Sequence, residues 1–368
     1  MKREIFFLNQ KEIVRYWPAA AILLVFIASL LWEWKKNVPE APPVTRTTFA
    51  MDTVIQYCLY GPSAEKTVAA CEELLSRLEE QLTCTDSPDI SERGDVRRLN
   101  RGAGKEPVEV SESVMQLLLR SQELSRWTGG LFDITVGPLT RLWNVTGENP
   151  TVPPQEEVEQ ALSLVGDGLV LEPEGQTAFL QQEGQRIDLG AVAKGYACGL
   201  LREICEENGV TRGYISLGGN MMVLPDSAEM RFGLQNPLRG GEASVIASLS
   251  LEGQTMATAG GYERYFEQDG VRYCHILDPR TGWPAQTDLL SASVISEDGA
   301  LADALSTALF LMGREEALAF LKDSDCRAVL VDSDCRVWLA GDVEESFHFQ
   351  LVESSGFRLA ESIREGGD

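Results

Sequence analysis

Residues 16–32, YWPAAAILLVFIASLLW, carry no charge, and this run divides the chain before any other pattern is considered. Seventeen such residues stand at the lower limit of what crosses a bilayer as a helix. Lys2, Arg3, Lys11 and Arg15 precede the run, Trp17, Trp32 and Trp34 sit near its ends, and Lys35 and Lys36 follow. Basic flanks and interfacial tryptophans predict a single-pass anchor in the cell membrane, with the N-terminus in the cytoplasm and the bulk of the chain outside. A cleaved signal peptide is the competing reading, although no clean A-x-A site follows the run. Residues 37–47 hold Pro39, Pro42 and Pro43, so an extended linker is expected there. The expected organisation is therefore an N-terminus and anchor at 1–36, a linker at 37–47 and one folded domain at 48–368.

Charge and rare residues exclude some functions. Asp plus Glu number 56 against 32 Lys plus Arg, a formal net charge of −24. Phosphate backbones would repel such a chain, so no nucleic-acid partner is expected. Only His275 and His348 are present, which excludes any site with three histidine ligands. None of the eight cysteines has the C-x-x-C spacing of a zinc ribbon or a redox motif. Cys198 and Cys205 lie two helical turns apart, too far for a disulfide. Small buried apolar side chains are the main reading, and a Cys326–Cys335 bridge across a hairpin stays open.

Beyond the linker the pattern mixes strands and helices. Residues 53–60 read as a strand, and 63–82 as a helix with Val68, Cys71, Leu75, Leu78 and Leu82 on one face. Helices are also expected at 111–127, 158–165, 191–208 and 300–312. Strands are expected at 169–171, 177–180, 214–217, 221–224, 230–234, 245–251 and 290–296, and near Ala328 and Val337. Asp269-Gly270 marks a hairpin between 263–267 and 271–277. The order predicts an α+β domain with substantial antiparallel sheet rather than a regular α/β repeat.

Four segments carry more polar and glycine detail than packing requires. In RIDLGAVAKGY (186–196), a turn with Asp188 and Gly190 feeds a helix N-terminus, which suits an anionic group, and Lys194 adds a positive charge. A capped helix with an exposed lysine explains the segment equally well. Gly218-Gly219-Asn220 lies between two apolar strands and marks either a close approach to the backbone or an ordinary tight hairpin. In HILDPRTG (275–282), His275 alternates with Leu277, so one faces the core and the other a site. In ALADALSTALFLMG (300–313), Asp303 and Thr307 are four apart on one helical face. A carboxylate and a hydroxyl so placed suit a hard cation such as Mg²⁺. The alternative has Asp303 capping a turn and Thr307 bonding back into its own helix.

Seven ordered motifs together resemble the ApbE-type flavin transferases, FAD:protein FMN transferases. They are FAMDT (49–53), GGLFDITVGPL (129–139), IDLGAVAKGYA (187–197), ISLGGN (215–220), ATAGGYERYF (257–266), HILDPRTG (275–282) and ADALSTALFLMG (302–313). The resemblance implies a single catalytic domain with a mixed, largely antiparallel sheet packed by helices. It implies FAD as substrate, Mg²⁺ at the diphosphate, and transfer of FMN to a Thr or Ser hydroxyl of an acceptor protein, with AMP leaving. Electron-transfer subunits are the acceptors the resemblance implies. Position by position, it gives Asp303, Thr307 and the main-chain carbonyl of Ala191 as metal ligands. Met51, Asn100, Leu131, Phe132, Asp133, Asp188, Lys194 and Leu277 match positions lining the FAD site. His275 matches the base for the acceptor hydroxyl, and its ordinary pKa near 6.5 suits that role. A Mg²⁺-dependent FAD pyrophosphatase at the same site, or a non-catalytic flavin-binding protein, are the alternatives.

Overall fold

The computed structural model describes residues 42–84, 94–238 and 244–360. Strands β1 (Val44–Ala50) and β2 (Thr53–Leu59) form an antiparallel hairpin. Along β2 the residues Ile55, Tyr57 and Leu59 are buried and those between them are more open, the period-two signature of a half-covered sheet. The hairpin begins a nine-stranded sheet. It continues through β3 (Gly213–Leu217), β4 (Asn220–Val223), β5 (Thr255–Gly260), β6 (Leu289–Ser296), β7 (Arg327–Asp332), β8 (Arg336–Ala340) and β9 (Arg358–Leu359). Spatial order follows chain order, and every neighbouring pair is antiparallel except β8 with β9. The expected α+β class with a mixed, largely antiparallel sheet is what the chain adopts.

The connections carry the helices. Between β2 and β3 lie α1 (Ala64–Leu82), α2 (Asp95–Gly102), α3 (Glu112–Trp127), α4 (Gly137–Trp143), α5 (Gln155–Leu162) and α6 (Ala193–Glu207). A small sheet of Val108–Glu109, Leu169–Glu172 and Thr177–Leu180 interrupts them. α7 (Gly299–Lys322) joins β6 to β7. The helices bury one sheet face in a core that includes Ile55, Leu75, Leu118, Leu201 and Leu305. A second core, with Phe232, Leu249, Val329 and Phe349, lies under the three-stranded sheet of Arg231–Gln235, Val245–Ser250 and Gln350–Leu351. Strands between two cores have no polar face, which explains the AVLV run in β7. Each fully buried Leu or Phe there contributes about 1.5–3 kcal/mol.

Several expectations are corrected. The linker expected to reach residue 47 gives way to strand at Val44, because VTRTTFA alternates and pairs with β2. β5 was not expected as a strand. Its sequence TMATAG is small and buried on both faces, so it shows no alternation. The helix expected at 300–312 continues to Lys322 through Gly313, whose φ of 73° and ψ of 174° break the helical path. α6 starts at Ala193 rather than 191, and α5 spans Gln155–Leu162 rather than 158–165. All eight cysteines are free, Cys326 and Cys335 included. The expected anchor lies outside the described residues, and among these no helix is long and apolar enough to cross a membrane.

Candidate active site

One cavity of about 950 Å³ gathers turns and helix ends from most of the domain. That volume is at the upper end of what ligand sites enclose. Met51 and Asp52 enter it from the β1–β2 turn, with φ of 52° and 57°. Two central residues with positive φ make the tight reversal that matches strand twist. Gly218, at the β3–β4 turn, also has positive φ, and a Cβ there would stand 2.4 Å from Thr53 Oγ1. The glycine pair is thus both a tight hairpin and a close approach, and it lines the cavity.

The segment 186–191 forms another wall. Ile187 is fully buried, and Asn100 holds it on both sides. Ile187 N donates to Asn100 Oδ1 at 2.7 Å, and Asn100 Nδ2 donates to Ile187 O at 3.1 Å. Asp188 N donates to Ile134 O at 2.7 Å, and Asp188 Oδ1 accepts from Gly190 N at 2.8 Å. These bonds aim the chain into α6. Gly195 N would ordinarily close the first helical turn on the carbonyl four residues back, at Ala191. It donates instead to Asp303 Oδ2, at 2.9 Å. The Ala191 carbonyl therefore has no partner among the described residues, and Ala191 lines the cavity. Lys194 Nζ donates to Gly190 O at 2.8 Å and stands 4.0 Å from Asp303 Oδ2.

α7 supplies the facing side. Asp298 caps it by accepting from Leu301 N at 3.1 Å. Asp303 is 6% exposed, and it lines the cavity with Ser306 and Thr307. Ser306 Oγ donates to Asp303 O at 2.8 Å; the equivalent contact from Thr307 Oγ1 is long, at 3.4 Å. Thr307 thus bonds back into its helix and Asp303 caps the start of α6, as the alternative reading had it, and both side chains also line the cavity. Asp303 Oδ1 has no hydrogen-bond partner among the described residues. A carboxylate, a hydroxyl and a free carbonyl form an all-oxygen set, and no cluster of three or more His, Cys, Asp or Glu competes with it among the described residues.

His275 occupies the same cavity. Its Nδ1 lies 3.2 Å from Arg264 O. A carbonyl only accepts, so Nδ1 carries the proton and Nε2 keeps its lone pair. Desolvation in the cavity wall, reinforced by the Arg264 charge, lowers the His275 pKa to about 4. The ring is therefore neutral at neutral pH, with Nε2 free to accept a proton, but it is a weaker base than the pKa near 6.5 expected from the sequence would make it. Burial raises the Asp133 pKa, against the bonds its Oδ1 accepts from Thr135 N at 2.7 Å and Thr135 Oγ1 at 2.6 Å. Burial and the nearby Asp188 charge raise the Cys84 thiol to about 12, so it is no nucleophile here.

Of the residues expected from the sequence, Met51, Leu131, Phe132, Asp133, Asp188, Ala191, Lys194, His275, Leu277, Asp303 and Thr307 share this cavity. Asn100 does not line it; it stands behind the wall and pins Ile187. Sequence reasoning gave no role to Arg264, whose Nη2 donates to Asp52 O at 2.8 Å while its carbonyl orients His275. Its place in the GYERYF motif was the available signal. The Asn220 side chain, given no role beyond its place after the glycine pair, is 1% exposed, lines the cavity and leaves Nδ2 without a partner among the described residues.

Comparison with known proteins identifies the family. The model of the ApbE family matches residues 51–330. An FAD:protein FMN transferase of Klebsiella pneumoniae is 37% identical over 254 residues, covering 69% of this chain and 78% of its own. One from Treponema pallidum is 31% identical over 299 residues, covering 76% and 81%. The crystal structure of the ApbE protein from Thermotoga maritima superposes with a TM-score of 0.72 at 31% identity, over 85% of this chain and 97% of that one. The match spans every wall of the cavity, from Met51 to Thr307, and on that ground the chain belongs to the ApbE family.

Proposed function

We propose that this protein is an FAD:protein FMN transferase that moves FMN from FAD to a Thr or Ser hydroxyl of an acceptor protein. The hydroxyl oxygen attacks the phosphorus on the FMN side, the anhydride bond breaks, and AMP leaves. A phosphoester joins FMN to the acceptor. His275 Nε2 takes the hydroxyl proton as the new bond forms; a base placed in this way contributes typically 10²–10⁴-fold. Lys194, at the start of α6, places a positive charge beside the diphosphate. Met51, Leu131, Phe132 and Leu277 supply apolar surface for the flavin, and Asp133 and Asp188 polar contacts.

Asp303, Thr307 and the Ala191 carbonyl fit Mg²⁺, whose charge, when bound, offsets that of the diphosphate and the departing AMP. The observation that carries the reading is the diverted Gly195 N–H. It presents the Asp303 carboxylate and frees the Ala191 oxygen at once, in the cavity that also holds His275.

The proposal extends to location. The uncharged run at 16–32 and its basic flanks support a single-pass anchor in the cell membrane. The domain beyond 48 would then act outside the cytoplasm on an electron-transfer subunit anchored nearby. The test is incubation of the full-length protein with FAD, Mg²⁺ and a purified electron-transfer domain bearing one acceptor threonine. Flavin that stays with the acceptor after denaturation supports transfer. Free FMN with an unmodified acceptor means hydrolysis, and unchanged FAD means binding alone.

A further inference from the structure

The transfer reading above requires a segment of another protein to reach the cavity, and β1 offers a place for it. β1 is the first strand of the nine-stranded sheet, and among the described residues nothing pairs with its outer side. The turn fixes which groups face outward. A two-residue turn makes Ala50 and Thr53 a hydrogen-bonded pair, and bonded and non-bonded pairs alternate from there. Thr45, Thr47 and Phe49 fall on the non-bonded positions opposite Cys58, Gln56 and Val54. Their N–H and C=O groups point away from β2.

Open edges recruit further strands unless proline, a bulge or a charge blocks them. β1 has no such block. Its register with β2 is unbroken, and it contains no proline. Its one charge, Arg46, is held toward α1 by Glu65 and Glu72. Phe49 is 69% exposed and Val54 50%, and these cross-strand partners form an apolar step beside the turn. The strand then runs straight into Met51 and Asp52 at the cavity wall. From Asp52 O, two hydrogen bonds through Arg264 lead to His275.

We infer that the outer edge of β1 is the docking strip for the acceptor protein, which adds an extended, hydroxyl-bearing segment to the sheet. Main-chain bonds to Thr45, Thr47 and Phe49 would hold the segment without regard to its sequence, and the Phe49–Val54 step would take one apolar side chain. A segment paired there is led to the turn where Asp52 and Arg264 meet. Its Thr or Ser then enters on the His275 side of the cavity.

Thr47→Pro tests this in the full-length protein. Proline removes one outward N–H and no bond to β2, and position 47 lies outside the cavity. With the purified electron-transfer domain as probe, the KM for that domain should rise roughly tenfold, the effect of losing about 1.4 kcal/mol. FAD affinity, read by flavin fluorescence, should not move. Amide exchange at Thr45, Thr47 and Phe49 should slow when the domain is added. An unchanged KM with FAD affinity intact overturns the strip. So does edge protection that comes from self-association, seen in sedimentation, with acceptor kinetics unaltered. If the proline lowers the melting temperature, Phe49→Ser decides by the same two readouts. An unaltered chain that forms no covalent adduct removes the transfer reading and the strip together, whereas an unmoved KM removes the strip alone.

Discussion

Gly195→Ala should destabilise the protein, although alanine is the better helix former. Gly195 lies in the first turn of α6, where α6 meets α7. A Cβ there would stand 2.1 Å from the Gly299 carbonyl oxygen and 2.6 Å from Asp303 Cβ. Ordinary contact begins near 3.4 Å, so the two helices must part by about 1 Å. Overpacking of this kind costs about 1–3 kcal/mol, against a propensity gain of about 0.5–1 kcal/mol. The net expectation is a loss of up to about 2.5 kcal/mol. Gly199, one turn along the same helix, is the control. A Cβ there meets nothing within 4 Å, so Gly199→Ala should stabilise by about 0.5–1 kcal/mol. Urea unfolding with unchanged m reads both as shifts of the midpoint. The two variants should move in opposite directions. A Gly195→Ala midpoint that rises with that of Gly199→Ala would refute the packing argument. Parting the helices also lengthens the Gly195 N–Asp303 Oδ2 bond, so FAD should bind more weakly in that variant alone.

His275→Gln should lower transfer by about 10²–10⁴-fold while leaving FAD affinity within a few-fold, as measured by single-turnover kinetics and fluorescence titration. With the His275 pKa at about 4, kcat/KM should hold through neutral pH and fall only as the pH drops toward that value. Arg264→Gln removes one of the three causes of the depression, beside burial and the Lys194 charge, and should move the acidic limb upward. The same shift links to stability. Between about 4 and 6.5 the unfolded chain binds more protons at His275 than the folded one, so this contribution is complete above about 6.5 and is lost as the pH falls toward 4. His275→Gln should flatten that part of the stability–pH curve. Asn100→Ala strips partners from the buried Ile187 N–H and C=O and should cost about 2–4 kcal/mol in urea unfolding.

What the sequence displays and what it hides follow from the range of the interactions. Asp303 and Thr307 are visible because helical spacing alone puts them on one face, and that face does open on the cavity. The Asp269-Gly270 hairpin is visible because its turn chemistry is local. The diverted Gly195 N–H is not visible, since its acceptor lies 108 residues away. Asn100 is a site residue only by the family resemblance, and its pairing with Ile187, 87 residues on, shows that it supports the wall. β5 is hidden for another reason. Burial on both faces erases the polar alternation by which strands are found, and its small residues suit the close crossing of α7. β1 is hidden by the prolines before it, which mask where the sheet begins.

The proposed function places Mg²⁺ between Asp303, Thr307 and the Ala191 carbonyl, against the diphosphate of FAD. Calorimetric titration of FAD into the unaltered protein and into Asp303→Ala, each with Mg²⁺ and with a chelator, tests it most directly. Mg²⁺ should tighten FAD binding in the unaltered protein and make no difference in the variant. Equal tightening by Mg²⁺ in both would contradict the account.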